Sequence, residues 1–293
     1  MRRANSQPDS ISYLQNLRTV EFPPENPTSI DEEDHGDGYL FELYDAFESL
    51  GLVGRLPAMQ SFFLDGMEIE EGLGRPPPAS ADYSRISIKH SSVEIDAWRI
   101  IIASAKRLEE VVYTIGGRIP LNGSFIVYPH AIFNSLLSHR DSLERLDLNL
   151  EDSLDPDLLF DQKRGLETGM SDESEDHDAL LAYLKGASFK DFTKLKHLSI
   201  DVYQFYYFAR GIGNENNERD ISLADGLPQS LESLRIYGYE EGVPYKPHLQ
   251  PDLKIPDLDP HIANFMEEKD SKLPRLKQIE GLDKCIPDCK IFW

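Results

Sequence analysis

The residues best suited to chemistry are eight histidines and two cysteines, and their spacing matches no familiar catalytic motif. No H-E-x-x-H, G-x-S-x-G, Walker or G-x-G-x-x-G pattern occurs, although these spacings hold zinc, activate a serine or cradle a phosphate. Cys285 and Cys289 lie without the further histidines or cysteines that a four-ligand zinc site needs. We therefore expect reduced, structural cysteines, no cofactor and no enzymatic activity, with an enzyme on an unrecognised α/β fold as the alternative.

One acidic stretch has part of the spacing of a calcium-binding loop. Asp172, Ser174, Asp176 and Asp178 alternate as the first ligands of such a loop do. The sixth position must be glycine and is His177, and no bidentate glutamate follows at the twelfth. The sequence therefore predicts no metal site here.

Net charge narrows the classes of partner. The chain has 52 acidic and 30 basic residues, a formal net charge of −22, and no basic cluster offsets it. Such a charge repels nucleic acid and anionic lipid, so we expect neither as a partner. It favours either a basic protein partner or simply solubility. With no signal peptide and no apolar run of about 18 residues, we expect an intracellular protein, cytoplasmic or nuclear, that does not span a membrane.

The segment from Leu143 to Leu150 gives the most direct prediction of secondary structure, a β-strand with one buried side. Its apolar residues alternate with polar ones at the period of a β-strand. Leu146 and Leu148 should point inward, and Asp147 between them should point outward. Leu143, three residues before the strand, should enter the same core.

This L-x-x-L-x-L pattern recurs along the chain, as it does in leucine-rich repeats. The first apolar residues of the copies are Leu17, Met59, Leu108, Leu143, Leu195, Leu231 and Leu276. Their intervals of 42, 49, 35, 52, 36 and 45 residues exceed the regular repeat length of about 20–29. Ile86 and Ile88 are candidates for a strand hidden in one long interval.

Helical patterns precede several of these strands, at residues 93–105, 129–138 and 259–268. In the last, Ile262, Phe265 and Met266 should face inward. The alternation predicts an α/β fold: an irregular leucine-rich-repeat solenoid with a parallel sheet on the concave face and helices on the convex face. We expect a disordered start over residues 1–10 and a single repeat domain over residues 11–293.

Two segments depart from the repeating pattern. Residues 151–178 hold 11 acidic and two basic residues, which predicts an acidic loop insertion with little internal structure. The run from Tyr203 to Phe208 places five aromatic residues in six positions. Either some of them are exposed for an interface, or all pack beneath a loop or a neighbouring repeat.

Several segments resemble the irregular leucine-rich repeats of filamentous-fungal F-box proteins. They are residues 105–113, 189–198, 227–234 and 273–277, and the similarity covers about residues 80–290. The resemblance implies a substrate-receptor subunit of a Skp1–cullin–F-box ubiquitin ligase, whose repeats hold the target protein.

The F-box that such a role requires is not found. An F-box opens with Leu-Pro, and the early candidate Leu56-Pro57 runs into the repeat pattern of Met59, Phe62 and Leu64. A Skp1-like adaptor is therefore expected only if an F-box exists outside this chain. The broader hypothesis is a non-enzymatic module that binds an unknown protein, and the alternative is a repeat-only scaffold without a ubiquitin-ligase link.

The outward positions of the strands predict where a protein partner would bind. The row between the second and third apolar positions contains Glu21, Phe63, Val112, Asp147, Ser199, Arg235 and Glu280. The flanking candidates are Arg145, Asn149, His197, Asp201, Ser233 and Tyr237. None of these should be needed for packing, and Arg235, Tyr237 and Arg145 have the side chains that most often dominate interface energy.

Overall fold

The computed structural model describes residues 16–22, 50–51, 53–66, 68–69, 75–115, 129–150, 188–210, 222–243 and 257–287. The chain divides into two compact units, residues 1–125 with 289–293, and residues 126–288. The predicted disordered start at 1–10, the acidic insertion at 151–178 and Cys289 lie outside the described residues. The single domain over residues 11–293 stays a prediction.

The first unit combines parallel strands with a helix. In chain order its elements are β1 (Thr19–Phe22), β2 (Ser61–Asp65), β3 (Glu68–Ile69), β4 (Arg85–Lys89), β5 (Ser92–Val93), α1 (Ile95–Ser104) and β6 (Glu110–Thr114). Strands β1, β2, β4 and β6 pair in that order, all parallel, and β3 pairs with β5 in a separate two-stranded sheet.

The second unit also combines parallel strands with helices. Its strands are β7 (Arg145–Asn149), β8 (His197–Asp201), β9 (Ser233–Tyr237) and β10 (Gln278–Glu280), parallel and in sequence order. Its α-helices are α2 (Pro129–Leu136), α3 (Val202–Arg210) and α4 (Asp259–Lys272). Short 3₁₀ helices cover Leu137–His139, Phe189–Asp191 and Leu223–Gly226.

The predicted α/β class and parallel sheet are confirmed. Ile86 and Ile88 do form a strand, β4, which the long interval had concealed. Tyr83 stands where that copy would have its first leucine, 24 residues after Met59 and 25 before Leu108. With this copy counted, two intervals fall within the regular length of a leucine-rich repeat.

Six strands, β2, β4, β6, β8, β9 and β10, begin with the same backbone arrangement. The residue just before a strand offers its carbonyl oxygen to two consecutive N–H groups at the start of the next strand. Glu144 O accepts from Lys196 N at 2.9 Å and His197 N at 3.1 Å, and Lys196 O accepts from Glu232 N at 2.8 Å and Ser233 N at 2.9 Å. The first unit does the same between Gln60 O and the N–H groups of residues 84 and 85, both at 3.0 Å. This contact keeps neighbouring strands in one register.

The apolar residues of the pattern form the core. Leu143, Leu146 and Leu148 are at most 1% exposed, as are Leu195, Leu198 and Ile200 of the next copy. Burying a leucine or isoleucine side chain contributes about 1.5–3 kcal/mol, so every copy adds several kcal/mol to the sheet. At the end of the first unit, Val20 and Phe22 of β1 are only half-buried.

The aromatic run lies in helix α3, and of the two alternatives left open by the sequence, burial holds for the four side chains described. Tyr203, Phe205, Tyr206 and Phe208 are 6%, 1%, 1% and 5% exposed. The helix has aromatic neighbours on more than one side. Phe208 lies 4.9 Å from Phe133 and 5.2 Å from Phe189, Phe205 lies 5.8 Å from Phe265, and Tyr206 lies 5.0 Å from His261, as ring-centroid distances.

The three predicted helices are present as α1, α2 with its 3₁₀ continuation, and α4. Ile262 and Phe265 are buried as expected, at 5% and 0% exposure. Met266 is 42% exposed, so its inward placement is wrong. The buried pair is three residues apart, which fits one helix face, and the next residue falls beside that face.

Two glycines give a direct test of the backbone packing. Gly281 follows β10 with φ of +93°, and a Cβ there would lie 1.9 Å from the carbonyl oxygen of Ile236. Gly242 has φ of +73° with open space around it. We predict that Gly281→Ala lowers the free energy of unfolding by more than about 3 kcal/mol, against about 1 kcal/mol for Gly242→Ala, which adds only backbone strain. Urea unfolding of both variants measures this, and equal losses would contradict the close approach.

Candidate partner-binding surface

Outward side chains of the second unit form two rows across its four strands. We call them together the outer face. They are Arg145, His197, Ser233 and Gln278 in one row, and Asp147, Ser199, Arg235 and Glu280 in the other. All eight are half-buried or exposed, while the residues between them are mostly buried. The register thus brings together the candidates that the sequence placed there, together with Gln278, which the sequence reading passed over.

Tyr237 connects strands that are not neighbours. It lies on β9, and its hydroxyl donates a hydrogen bond to Asp147 Oδ1 on β7 at 3.0 Å. The hydroxyl also shares hydrogen bonds with the side chains of Ser199 and Arg235. The side chain therefore crosses β8 and links β9 to β7 on the outer face.

The environment of Tyr237 favours its neutral form. Burial first, and then the charge of Asp147, raise the pKa of the Tyr237 hydroxyl from 10.0 to about 12. Because the pKa is raised in the folded state, the stability contributed by this neutral phenol is fully present below about pH 10. It is lost as the pH rises from about 10 towards about 12.

Arg235 and Glu280 form the clearest ion pair of the outer face. Arg235 Nε and Nη2 lie 2.7 and 2.6 Å from Glu280 Oε2. The hydrogen bond that Arg235 donates to Glu280 raises the pKa of Arg235 and lowers the pKa of Glu280, so both groups are held charged. Both side chains are still partly in solvent, at 46% and 34% exposure.

A second pair joins His197 to Ser233. His197 Nδ1 lies 2.8 Å from Ser233 Oγ on the neighbouring strand. A hydroxyl beside an imidazole is also the start of a nucleophilic centre, but such a centre needs a third group on the other ring nitrogen. Among the residues that the structure describes, no hydrogen bond to that nitrogen is found.

Three predicted members of the surface are buried, so the expectation that none of them is needed for packing is wrong for these three. Asn149 is 4% exposed, Asp201 0% and Tyr237 8%. All three end their strands, where outward side chains are covered. Asp201 Oδ1 accepts a hydrogen bond from the backbone N–H of Gln204 at 2.8 Å, so its side chain caps α3. The Asp201-x-x-Gln204 spacing is a capping signature that the sequence reading missed.

In the first unit the corresponding row is less polar. Phe63 is 36% exposed, Val112 is half-buried and Glu21 is exposed, with Ser87 of β4 between Phe63 and Val112. Ser87 is only 6% exposed. This row therefore combines apolar side chains with a covered hydroxyl and lacks the cross-strand ion pair of the second unit.

A histidine–carboxylate pair that the sequence reading overlooked follows the strands of the first unit. His90 Nδ1 lies 2.8 Å from Asp65 Oδ1, and both side chains are partly exposed. His90 has φ of +47°, unusual for a residue other than glycine, and its N–H lies 3.4 Å from Thr114 Oγ1. No spacing in the sequence would have linked these residues, because β2, β4 and β6 bring them together.

Within the described part of the chain, no group of three or more histidine, cysteine or carboxylate side chains is placed to hold a metal ion. In the same part, every helix is too short or too polar to cross a membrane. No family model, curated protein or solved structure matches the chain. The resemblance to fungal F-box proteins therefore rests on the sequence motifs alone.

The hydrogen bond between Tyr237 and Asp147 can be tested by a double-mutant cycle. We predict that Tyr237→Phe and Asp147→Ala are coupled by about 0.5–1.5 kcal/mol in the free energy of unfolding, since each removes the same bond. Glu232→Ala, at the other end of β9, should be additive with Tyr237→Phe. Urea unfolding at neutral pH measures both cycles, and additivity within about 0.3 kcal/mol in the first would show that the bond does not contribute.

Proposed function

We propose that the chain is a non-enzymatic protein-binding module whose partner docks on the outer face of the second unit. The observation that carries this proposal is that inward and outward residues of each strand differ in kind. The inward residues make the core, while the outer rows hold arginine, histidine, serine and carboxylate side chains that the core does not use. Arginine is among the residues that most often dominate interface energy.

Preorganisation supports the same proposal. Pairs such as His197 with Ser233 and Arg235 with Glu280 join neighbouring strands, and Tyr237 reaches Asp147 two strands away. Side chains already held in place lose less conformational freedom when a partner binds. A surface of this kind suits recognition better than a row of independently rotating side chains.

We further propose that the two units are leucine-rich-repeat segments of a solenoid with the outer face on its concave side. The recurrent pairing of one carbonyl oxygen with two N–H groups supports a repeated structural unit. The intervals of 24 and 25 residues around Tyr83 support the same interpretation. Solenoids commonly bind their partners on an extended concave surface.

The ubiquitin-ligase role is a narrower proposal that rests on the resemblance to fungal F-box proteins. It requires contact with a Skp1-like adaptor through an F-box, and the repeats would then hold the target. If this role is wrong, the same outer face would serve a scaffold without a ligase. Co-expression of a Skp1-like adaptor with the longest product of the gene separates these two versions, because only a product that includes an F-box yields a stable complex.

Charge reversal at Arg235 tests the binding surface itself. Arg99 of α1 is a matched control, since its side chain is also 46% exposed and is paired with Asp96 at 2.9 Å. We predict that Arg235→Glu weakens capture of the main cross-linked partner roughly 30-fold, as expected at an interface hot spot, while Arg99→Glu leaves it unchanged. Quantitative mass spectrometry of cross-linked complexes measures capture.

The melting temperature of each variant is the control for folding. Arg235→Glu should lower it by no more than a few degrees, because the pair with Glu280 is partly exposed and contributes little to stability. Equal capture by wild type and Arg235→Glu would place the binding site elsewhere. A collapse in melting temperature would mean that Arg235 is structural.

A further inference from the structure

Strand β10 lies at an open edge of the sheet in the second unit. Within the described residues, β9 is the only strand that pairs with β10. After β10 the chain turns to the β9 side, because Ile286 O accepts a hydrogen bond from Gly238 N, just beyond the end of β9, at 3.0 Å. The described part of the chain therefore supplies no strand to the other side of β10.

The backbone groups on this open side follow from the pairing of β10 with β9. Gln278 N donates to Glu232 O of the β9 side at 3.3 Å. Successive residues of a strand direct their N–H and C=O groups to opposite sides, so Ile279 directs both of its groups away from β9. A donor and an acceptor on one edge residue are what a further strand needs in order to pair.

The apolar residues of this last copy are less buried than those of the copy before it. Leu276 and Ile279 are half-buried, whereas the corresponding Leu231 and Leu234 are 0% and 1% exposed. Removing such apolar area from water favours association. Backbone and side chains of β10 therefore both favour the addition of a strand.

The side chains of the edge distinguish between two strands that this chain could add. The β1 strand of a second copy, added parallel in the register of the sheet, would set Glu21 opposite Glu280, and like charges directly opposite each other are unfavourable. The β10 strand of a second copy, added antiparallel about Ile279, sets Gln278 opposite Glu280 twice. An amide then faces a carboxylate on both sides of the axis, so the edge is complementary to itself.

We propose that two copies of the chain pair through β10 in an antiparallel, two-fold arrangement centred on Ile279. The two Ile279 residues exchange two backbone hydrogen bonds. Gln278 Nε2, which donates to Glu280 Oε1 of its own strand, donates instead to Glu280 of the other copy. Opposite residues lie on the same face of a sheet, so the two outer faces become one surface. The dimer itself does not depend on the proposed binding of another protein.

Sedimentation equilibrium of the full chain, in about 150 mM NaCl to screen the net charge of −22, measures the association. We expect a monomer–dimer equilibrium with a Kd of about 10–100 µM, because an edge of three residues buries less area than a stable interface. Gln278→Glu should raise the Kd about fivefold, since it sets like charges opposite each other, and Gln278→Lys should lower it about as much. Gln60, an exposed glutamine just before β2, is the matched control, and the same two substitutions there should leave the Kd unchanged.

Single cysteines test the two-fold register. With Cys285 and Cys289 replaced by serine, Ile279→Cys should form a disulfide between two copies under mild oxidation, because opposite residues at the axis have Cα atoms about 5.5 Å apart. Lys277→Cys should stay reduced, because each copy of it lies two residues from the axis and the pair is about 14 Å apart. Mass spectrometry under non-reducing conditions measures both.

A monomer at all concentrations up to about 500 µM would overturn the proposal. So would a Kd that the two substitutions of Gln278 leave unchanged, and this arm is independent of whether Ile279→Cys folds. A disulfide through Lys277→Cys as readily as through Ile279→Cys would also overturn it. Each of these results leaves the binding of another protein to the outer face untouched, and that binding is tested separately by Arg235→Glu.

Discussion

The sheet depends on one backbone contact, in which the carbonyl oxygen before a strand accepts hydrogen bonds from two consecutive N–H groups at the start of the next strand. This contact recurs between Glu144, Lys196 and Glu232, and it fixes the register of β7, β8 and β9. Because side chains alternate along a strand, a constant register places all leucines of the pattern on one side. A slip of one residue would expose the core, so the hydrophobic pattern and the backbone contact reinforce each other.

The same register gathers polar residues that are far apart in sequence. Tyr237 and Asp147 are 90 residues apart, and Arg235 and Glu280 are 45 residues apart, yet each pair is hydrogen-bonded. A sheet of parallel strands thus makes a continuous polar surface from single residues of successive copies. Its two arginines, Arg145 and Arg235, are matched in number by Asp147 and Glu280, so that surface is close to neutral within a strongly acidic chain.

The sequence was sufficient to predict the strands and the core, because L-x-x-L-x-L specifies both the period and the buried side. Ile86 and Ile88 indicated β4, but the start of that copy was not recognised, since Tyr83 replaces its first leucine and buries its ring with the hydroxyl hydrogen-bonded to Ile101 O and Ser104 Oγ. The sequence reading also misplaced Asp201, whose role as a helix cap depends on the helix that follows it. The aromatic residues of α3 are buried because neighbours from distant segments surround that helix, which one local pattern cannot reveal.

Cysteine pairs on the outer face test the register most directly. With Cys285 and Cys289 replaced by serine, Ser199→Cys and Arg235→Cys should form a disulfide under mild oxidation, because residues level on neighbouring strands have Cα atoms about 5 Å apart. Ser199→Cys with Ser233→Cys, on the same face but one step along, should stay reduced at about 8 Å. Thiol titration and mass spectrometry of the folded protein measure both. Disulfide formation in the second pair but not the first would contradict the register, and with it the outer face.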